Sequence, residues 1–131
     1  MYIKNKYLEQ IGVSDSFYKI PRDEKKSKKC NCYLFETWDL ARSWAEWLFT
    51  HCHMYLDETL DIIDLDYYKF EYAGNVYTQK EMIDMIIVLL ADYLVYIDSE
   101  EVYDPQVEVE IYDNLRIASE MWGLIVGHMW W

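Results

Sequence analysis

Two long apolar stripes at helical spacing organise the chain. Ala41, Trp44, Ala45, Leu48, Cys52 and Tyr55 fall on one face of a 3.6-residue repeat. Asp39, Arg42, Ser43, Glu46, Thr50 and His53 fall on the other. The pattern predicts a helix over 38–56, with Thr37 as N-cap and Asp39 near the positive end of the dipole. No Gly or Pro stops it, so nothing local prevents it from running on through Leu60 and Ile63. The second stripe is Val107, Ile111, Leu115, Ala118, Trp122, Ile125 and Met129, opened by Asp104-Pro105 as N-cap and first helical residue. Val107 to Ile111 also alternates as a strand would, but the long stripe and the cap favour a helix.

Between these stripes, Thr78-Gln79-Lys80-Glu81 reads as a capping box. The apolar run behind it, to Ile97, is apolar nearly all round and predicts the central, buried helix. Tyr2, Ile3, Tyr7, Leu8 and Ile11 predict a short helix over 2–11 with Gly12 at its C-cap. Phe17 to Ile20 reads as a short strand before Pro21, and Cys30 to Glu36 as another. The run RDEKKSKK over 22–29 has no apolar anchor and reads as a solvated basic loop. Tyr68, Phe70 and Tyr72 alternate with Lys69 and Glu71; Gly74-Asn75, Val76 and Tyr77 follow, which predicts a hairpin. The expected fold is one domain over 1–131, α+β and mostly helical. Two to three long packed helices carry a small antiparallel sheet built from 30–36, 67–73 and 76–78. There is no internal repeat and no linker.

Composition narrows the class. Of 131 residues, 53% are apolar and 18% aromatic, which excludes a disordered acidic tail. Four glycines and two prolines exclude a collagen-like or linker sequence. With 12 basic and 24 acidic side chains the net charge is −12, which argues against direct nucleic-acid binding. Residues 1–30 carry eight basic and four acidic side chains, whereas 57–113 carry sixteen acidic ones against Lys69 and Lys80. Acidic surface confers solubility, but this density also repels itself, and it suits a surface that meets a basic partner. Cys30, Cys32 and Cys52 are an odd set and point to a reducing compartment. Met1 to Gln10 lacks the apolar core of a secretory signal, and no stretch is long enough to span a bilayer. The expected location is the cytoplasm, the host's if the gene is carried by a phage. Nine Lys against three Arg, with abundant Tyr, Ile and Asp, fits an AT-rich coding genome.

No catalytic signature is present, and neither an enzyme activity nor a cofactor is expected. Cys30 and Cys32 with His51, Cys52 and His53 contain zinc-ligand types. On a helix, however, His51 and His53 point about 200° apart, and Cys52 lies on the apolar stripe. No flanking motif supports a Cys-His nucleophile with His51, His53 or His128. No glycine spacing fits a phosphate loop. Close carboxylate pairs arise by chance among so many acids.

The acidic face is the stronger candidate. On a continued helix Asp57, Asp61 and Asp64 would stack at spacings of four and three, about 5–6 Å apart, with Asp66 beyond them. Asp98, Glu100, Glu101 and Asp104 crowd the next inter-helix loop, followed by Glu108 and Glu110. Such rows approach the charge density of a duplex, about one charge per 1.7 Å. Tyr67, Tyr68, Tyr96, Tyr103 and Tyr112 lie among them and suit interface anchors. The tail ends His128-Met129-Trp130-Trp131. Its tryptophans fit docking onto the domain or a homodimer better than a membrane, whose anionic headgroups would repel the chain.

In charge and size, though not in aligned residues, the chain resembles the small acidic proteins by which phages and mobile elements block defence enzymes. Anti-CRISPR and anti-restriction DNA mimics belong to that class. The resemblance implies an inhibitory binding protein whose partner is a basic nucleic-acid-binding nuclease or effector complex. The alternatives are an immunity protein or antitoxin for a basic toxin, a small metal- or ligand-binding enzyme, and an assembly subunit.

Overall fold

The computed structural model describes residues 3–15, 27–30, 32–37, 39–99 and 104–131. In chain order its elements are α1 (Lys6–Gln10), α2 (Leu40–Thr59), β1 (Lys69–Tyr72), β2 (Asn75–Thr78), α3 (Gln79–Asp98) and α4 (Pro105–Ile125). The fold is mostly helical α+β with one small antiparallel sheet, as the periodicity predicts.

Local side-chain chemistry sets each boundary. Asn5 caps α1, its Oδ1 accepting from the N–H groups of Tyr7 and Leu8 at 3.0 and 3.1 Å. The helix therefore begins at Lys6, four residues later than the spacing of Tyr2 and Ile3 implies. It ends in a Schellman turn: the Val13 N–H reaches the Leu8 carbonyl and the Gly12 N–H that of Glu9. Gly12 takes the required left-handed φ of 74°, and Leu8 and Val13 are both buried. Asp39, rather than Thr37, caps α2 by accepting from the Arg42 N–H at 3.1 Å.

Among the described residues, the sheet has two strands and does not include the expected strand at 30–36. Leu34–Thr37 instead forms a 3₁₀ turn. The Glu36 carboxylate reaches back to the Tyr33 N–H at 2.6 Å, a local bond that competes with a ladder. The expected strand over 17–20 and most of the basic loop lie outside the described residues.

The hairpin turns on Ala73-Gly74, one residue earlier than expected, because Tyr72 pairs with Asn75. Both turn residues have positive φ, 50° and 82°. This is the twist that a two-residue hairpin needs, held here by an alanine where Asn or Gly would fit without strain. Phe70 and Tyr72 face inward and Lys69 and Glu71 outward. The capping box stands as read: Thr78 accepts from the Glu81 N–H and Glu81 from the Thr78 N–H. The Pro105 start of α4 is likewise capped by Asp104.

The helix α3 packs between α2 and α4. Met82, Ile83, Ile86, Leu90 and Leu94 of α3 meet Leu48, Phe49 and Cys52 of α2 and Ala118, Met121 and Ile125 of α4. Arg42 at the start of α2 pairs with Asp98 at the end of α3 at 2.8 Å. Gln79 at the start of α3 donates to the His128 carbonyl just beyond α4 at 3.3 Å. The three helices therefore run alternately up and down. One end of the bundle holds the termini of α2 and α4 with the start of α3, and the opposite end lies about 30 Å away. Among the described residues, no helix is long and apolar enough to cross a membrane.

The face of α2 is the largest departure from the periodicity. Glu46 is buried, and Arg42, Ser43, Thr50 and His53 are half-buried. The N-terminal segment lies over them: Asn5 donates to Thr50 at 2.7 Å, Arg42 donates to the Ser14 carbonyl at 3.0 Å, and Tyr7 stacks on His53. Leu40, Trp44, Trp47, His51 and Met54 form a second stripe, which is exposed.

Two outcomes test this account. Ala73→Asn should stabilise the domain by about 0.5–1 kcal/mol in urea unfolding, by removing the cost of a left-handed alanine. Asp98→Ala should destabilise it by about 1–3 kcal/mol, since Arg42 and the Ser14 N–H both lose an acceptor.

Candidate functional site

The end of α2 is where acid collects. Asp57 and Glu58 sit in its last turn, which carries no basic residue, so they oppose the negative end of the helix dipole. The helix then stops at Thr59. Its hydroxyl bonds back to the Tyr55 carbonyl at 2.6 Å, and the Ile62 and Ile63 N–H groups fold onto the Thr59 carbonyl. The chain turns because Leu65 must reach the core and because α3 needs acceptors. The Leu65 carbonyl takes the Lys80 N–H and the Tyr68 carbonyl takes the Gln79 N–H.

The predicted helical row of Asp57, Asp61 and Asp64 is therefore not formed. Asp57 is helical, Asp61 lies in the turn, and Asp64 follows it as a cap for the Asp66 N–H at 3.0 Å. The acids nevertheless stay together at one end of the bundle, and all are exposed. Asp57, Glu58, Asp61, Asp64 and Asp66 make no ion pair among the described residues. Of the cations at this end, Lys80 pairs with Asp84 at 2.8 Å, while Lys4 and Lys6 line a shallow groove together with Asp57. Asp57 accepts from the Tyr7 hydroxyl at 2.7 Å, a bond that raises the Tyr7 pKa.

The second predicted group divides differently. Asp98 is a half-buried structural acid, occupied by Arg42 and by the Ser14 N–H at 3.0 Å. Asp104 caps α4, Glu108 is half-buried and Glu110 is exposed, all at the opposite end from Asp61 and Asp64. Glu100, Glu101 and Tyr103 lie outside the described residues. The two acidic groups are thus separated by the length of the bundle and do not form one continuous face.

A groove that no sequence pattern marks adjoins the first group. It has a volume of about 440 Å³ and lies between the 62–68 turn and the tail. Ile62, Ile63, Tyr67 and Tyr68 line one side, His128, Trp130 and Trp131 the other, with Asp64 and Gln79 also contributing. The Tyr68 and His128 rings lie 4.4 Å apart, and Tyr67 meets Tyr68 edge-on at 5.1 Å. The tail is fixed by its backbone: Gln79 donates to the His128 carbonyl and the Tyr55 hydroxyl to the Trp130 carbonyl. Met129 packs on the core, while the Trp130 and Trp131 side chains remain 72% and 64% exposed. The local signals for this groove were the pair of tryptophans and the tyrosines Tyr67 and Tyr68 among the acids.

The exposed stripe on α2 was also missed. Trp44 and Trp47 stack at 5.8 Å, Trp47 stacks on His51 at 4.1 Å, and Trp44 donates to Ser119 of α4 at 3.0 Å. His51 and His53 are thus engaged on different sides of the helix. Among the described residues no three His, Cys, Asp or Glu side chains converge on a metal position. Burial raises the Cys52 pKa to about 12, whereas a hydrogen bond from the Ser27 side chain and then bonds with Cys32 lower that of exposed Cys30.

Because the thiolate is the reactive form, maleimide at neutral pH should label Cys30 and Cys32 in the folded protein and leave Cys52 unmodified. Cys52 should react only after denaturation, as read by intact mass and peptide mapping.

The chain matches no protein-family model, no curated protein and no solved structure. Its functional reading therefore rests on the acidic end and the groove beside it.

Proposed function

We propose that this chain is an inhibitory binding protein that occupies the nucleic-acid channel of a basic enzyme, of the kind that phages and mobile elements direct against host defence. The observation that carries the reading is the set of exposed carboxylates at 57–66, none in an ion pair among the described residues.

A channel that binds phosphate presents Lys and Arg already partly desolvated by its walls. Carboxylates held on a folded end can enter that field without the counterion atmosphere of a duplex, and opposite charge speeds the encounter. The position of Asp57 and Glu58 supports the reading. Acids in the last turn of a helix cost about 0.3–1 kcal/mol each, so this placement is not what stability alone favours. Exposed aromatic rings beside the acids supply the anchors that charge alone lacks. The inhibitor works by occupancy and needs no catalytic group or cofactor of its own.

The experiment is capture of basic nucleases from a bacterial lysate that expresses candidate defence enzymes, followed by competition with duplex DNA. Retained nuclease should be released by DNA and by raising salt, since screening weakens attraction beyond about 10 Å at 0.1 M. Replacing Asp61, Asp64 and Asp66 together with Asn should weaken binding about tenfold or more and leave the melting temperature unchanged. Glu108→Gln with Glu110→Gln, at the opposite end, should leave binding within about twofold. Inhibition that survives the triple change at 61–66 would sink the reading.

A further inference from the structure

We propose that the groove between the 62–68 turn and the 128–131 tail seats an arginine side chain of the basic partner, its guanidinium lying against the aromatic wall and its charge met by Asp64. This rests on the reading of the chain as a binder of basic proteins and names the contact through which it holds them.

Three features select this occupant. The groove, about 440 Å³, is in the range that takes one side chain or a small ligand. Its walls are mostly rings: Tyr67, Tyr68, His128, Trp130 and Trp131. Aromatic faces attract cations, and the planar guanidinium of arginine also stacks on them, which a compact ammonium cannot do. The third feature is charge. Asp64 lines the groove, Asp61 and Asp66 flank it in the same turn, and none of the three is in an ion pair among the described residues.

The same features disfavour other occupants. An apolar segment would strip water from Asp64 without offering it a donor. An anion would meet Asp64 in the groove and Asp61 and Asp66 close to it in the chain. A second copy of the chain would bring another net charge of −12 to those carboxylates. Two hydrogen bonds already hold the tail backbone against the domain, so less backbone ordering remains for the complex to impose.

The test uses a capped tetra-arginine peptide, with a capped tetra-citrulline peptide of nearly the same shape and no charge as its control. Titration into the full chain is followed through the indole N–H resonances. Tetra-arginine should shift the signals of Trp130 and Trp131 and leave Trp44 unmoved, and tetra-citrulline should shift none. Trp130→Ala with Trp131→Ala should weaken the arginine peptide about tenfold, and Asp64→Asn should weaken it by a similar factor. Both variants should melt as the parent does, because the changed side chains are exposed. Equal binding of tetra-citrulline, or tetra-arginine shifts confined to residues away from the groove, would overturn the proposal. Two results separate it from the broader reading. A basic nuclease still retained through Asp61, Asp64 and Asp66 but indifferent to the double tryptophan change leaves inhibition standing and removes the arginine seat. Arginine-specific shifts at Trp130 and Trp131 with no nuclease retained do the reverse.

Discussion

Arg42 is the half-buried cation at which three stretches of chain meet. From the start of α2 it donates to Asp98 at the end of α3 and to the Ser14 carbonyl of the N-terminal segment, and it lies 3.6 Å from buried Glu46. Burial works against its charge, but the carboxylates of Asp98 and Glu46 outweigh that cost and raise its pKa. Removing one partner from such a group costs more than the bond itself is worth, because the remaining charges stay desolvated. The contact also fixes direction. Once the start of α2 is held to the end of α3, the start of α3 must lie by the end of α2, and α4 must return to it. Which acids share an end of the bundle follows from this single arrangement.

The consequence is an electrostatic division of the molecule. Asp98, Asp84, Asp113 and Glu120 are balanced by local cations, and the Tyr72 hydroxyl also donates to Glu120. Among the described residues, Asp57, Glu58, Asp61, Asp64 and Asp66 are not balanced in this way. A protein selected only for solubility gains nothing by grouping its unbalanced carboxylates at a helix C-terminus, where the dipole already disfavours them. That grouping, rather than the net charge, is what the proposed binding role rests on.

The sequence made the local features legible and left the non-local ones hidden. The capping box at Thr78 and the proline start at Pro105 were readable because every group involved lies within a few residues. The exposed face of α2 was not. Its two stripes, Ala45-Leu48-Cys52 and Leu40-Trp44-Trp47, are both apolar at helical spacing, and Trp44 was assigned to the buried one. Which face points inward was decided by α1 and Val13, whose segment covers Arg42, Thr50 and His53. The end of α2 was equally unreadable. Thr59 is a tolerable helix residue, and the helix stops because Leu65 and Tyr68 must serve the core and the start of α3. The acidic residues at 57–66 were found by their density, but the row they were expected to form was not, since it depended on that helix continuing.

The groove arises from composition and topology together. Its two walls are separated by about sixty positions in the chain, so no window of sequence contains both. Tyr67 and Tyr68 read as part of a hairpin and as anchors beside the acids, and Trp130 and Trp131 as a tail that docks on the domain or on a second copy, with nothing to join the two. The bonds from Gln79 and Tyr55 to the tail backbone bring these parts together, and they come from helices that serve the core. Rigid elements thus hold the backbone of the tail, and the turn that ends α2 positions the acid. A charged surface without such a groove attracts many basic proteins weakly. In the proposed reading, joining the two narrows recognition, because a partner would have to offer both a positive field and a side chain able to enter an aromatic cleft.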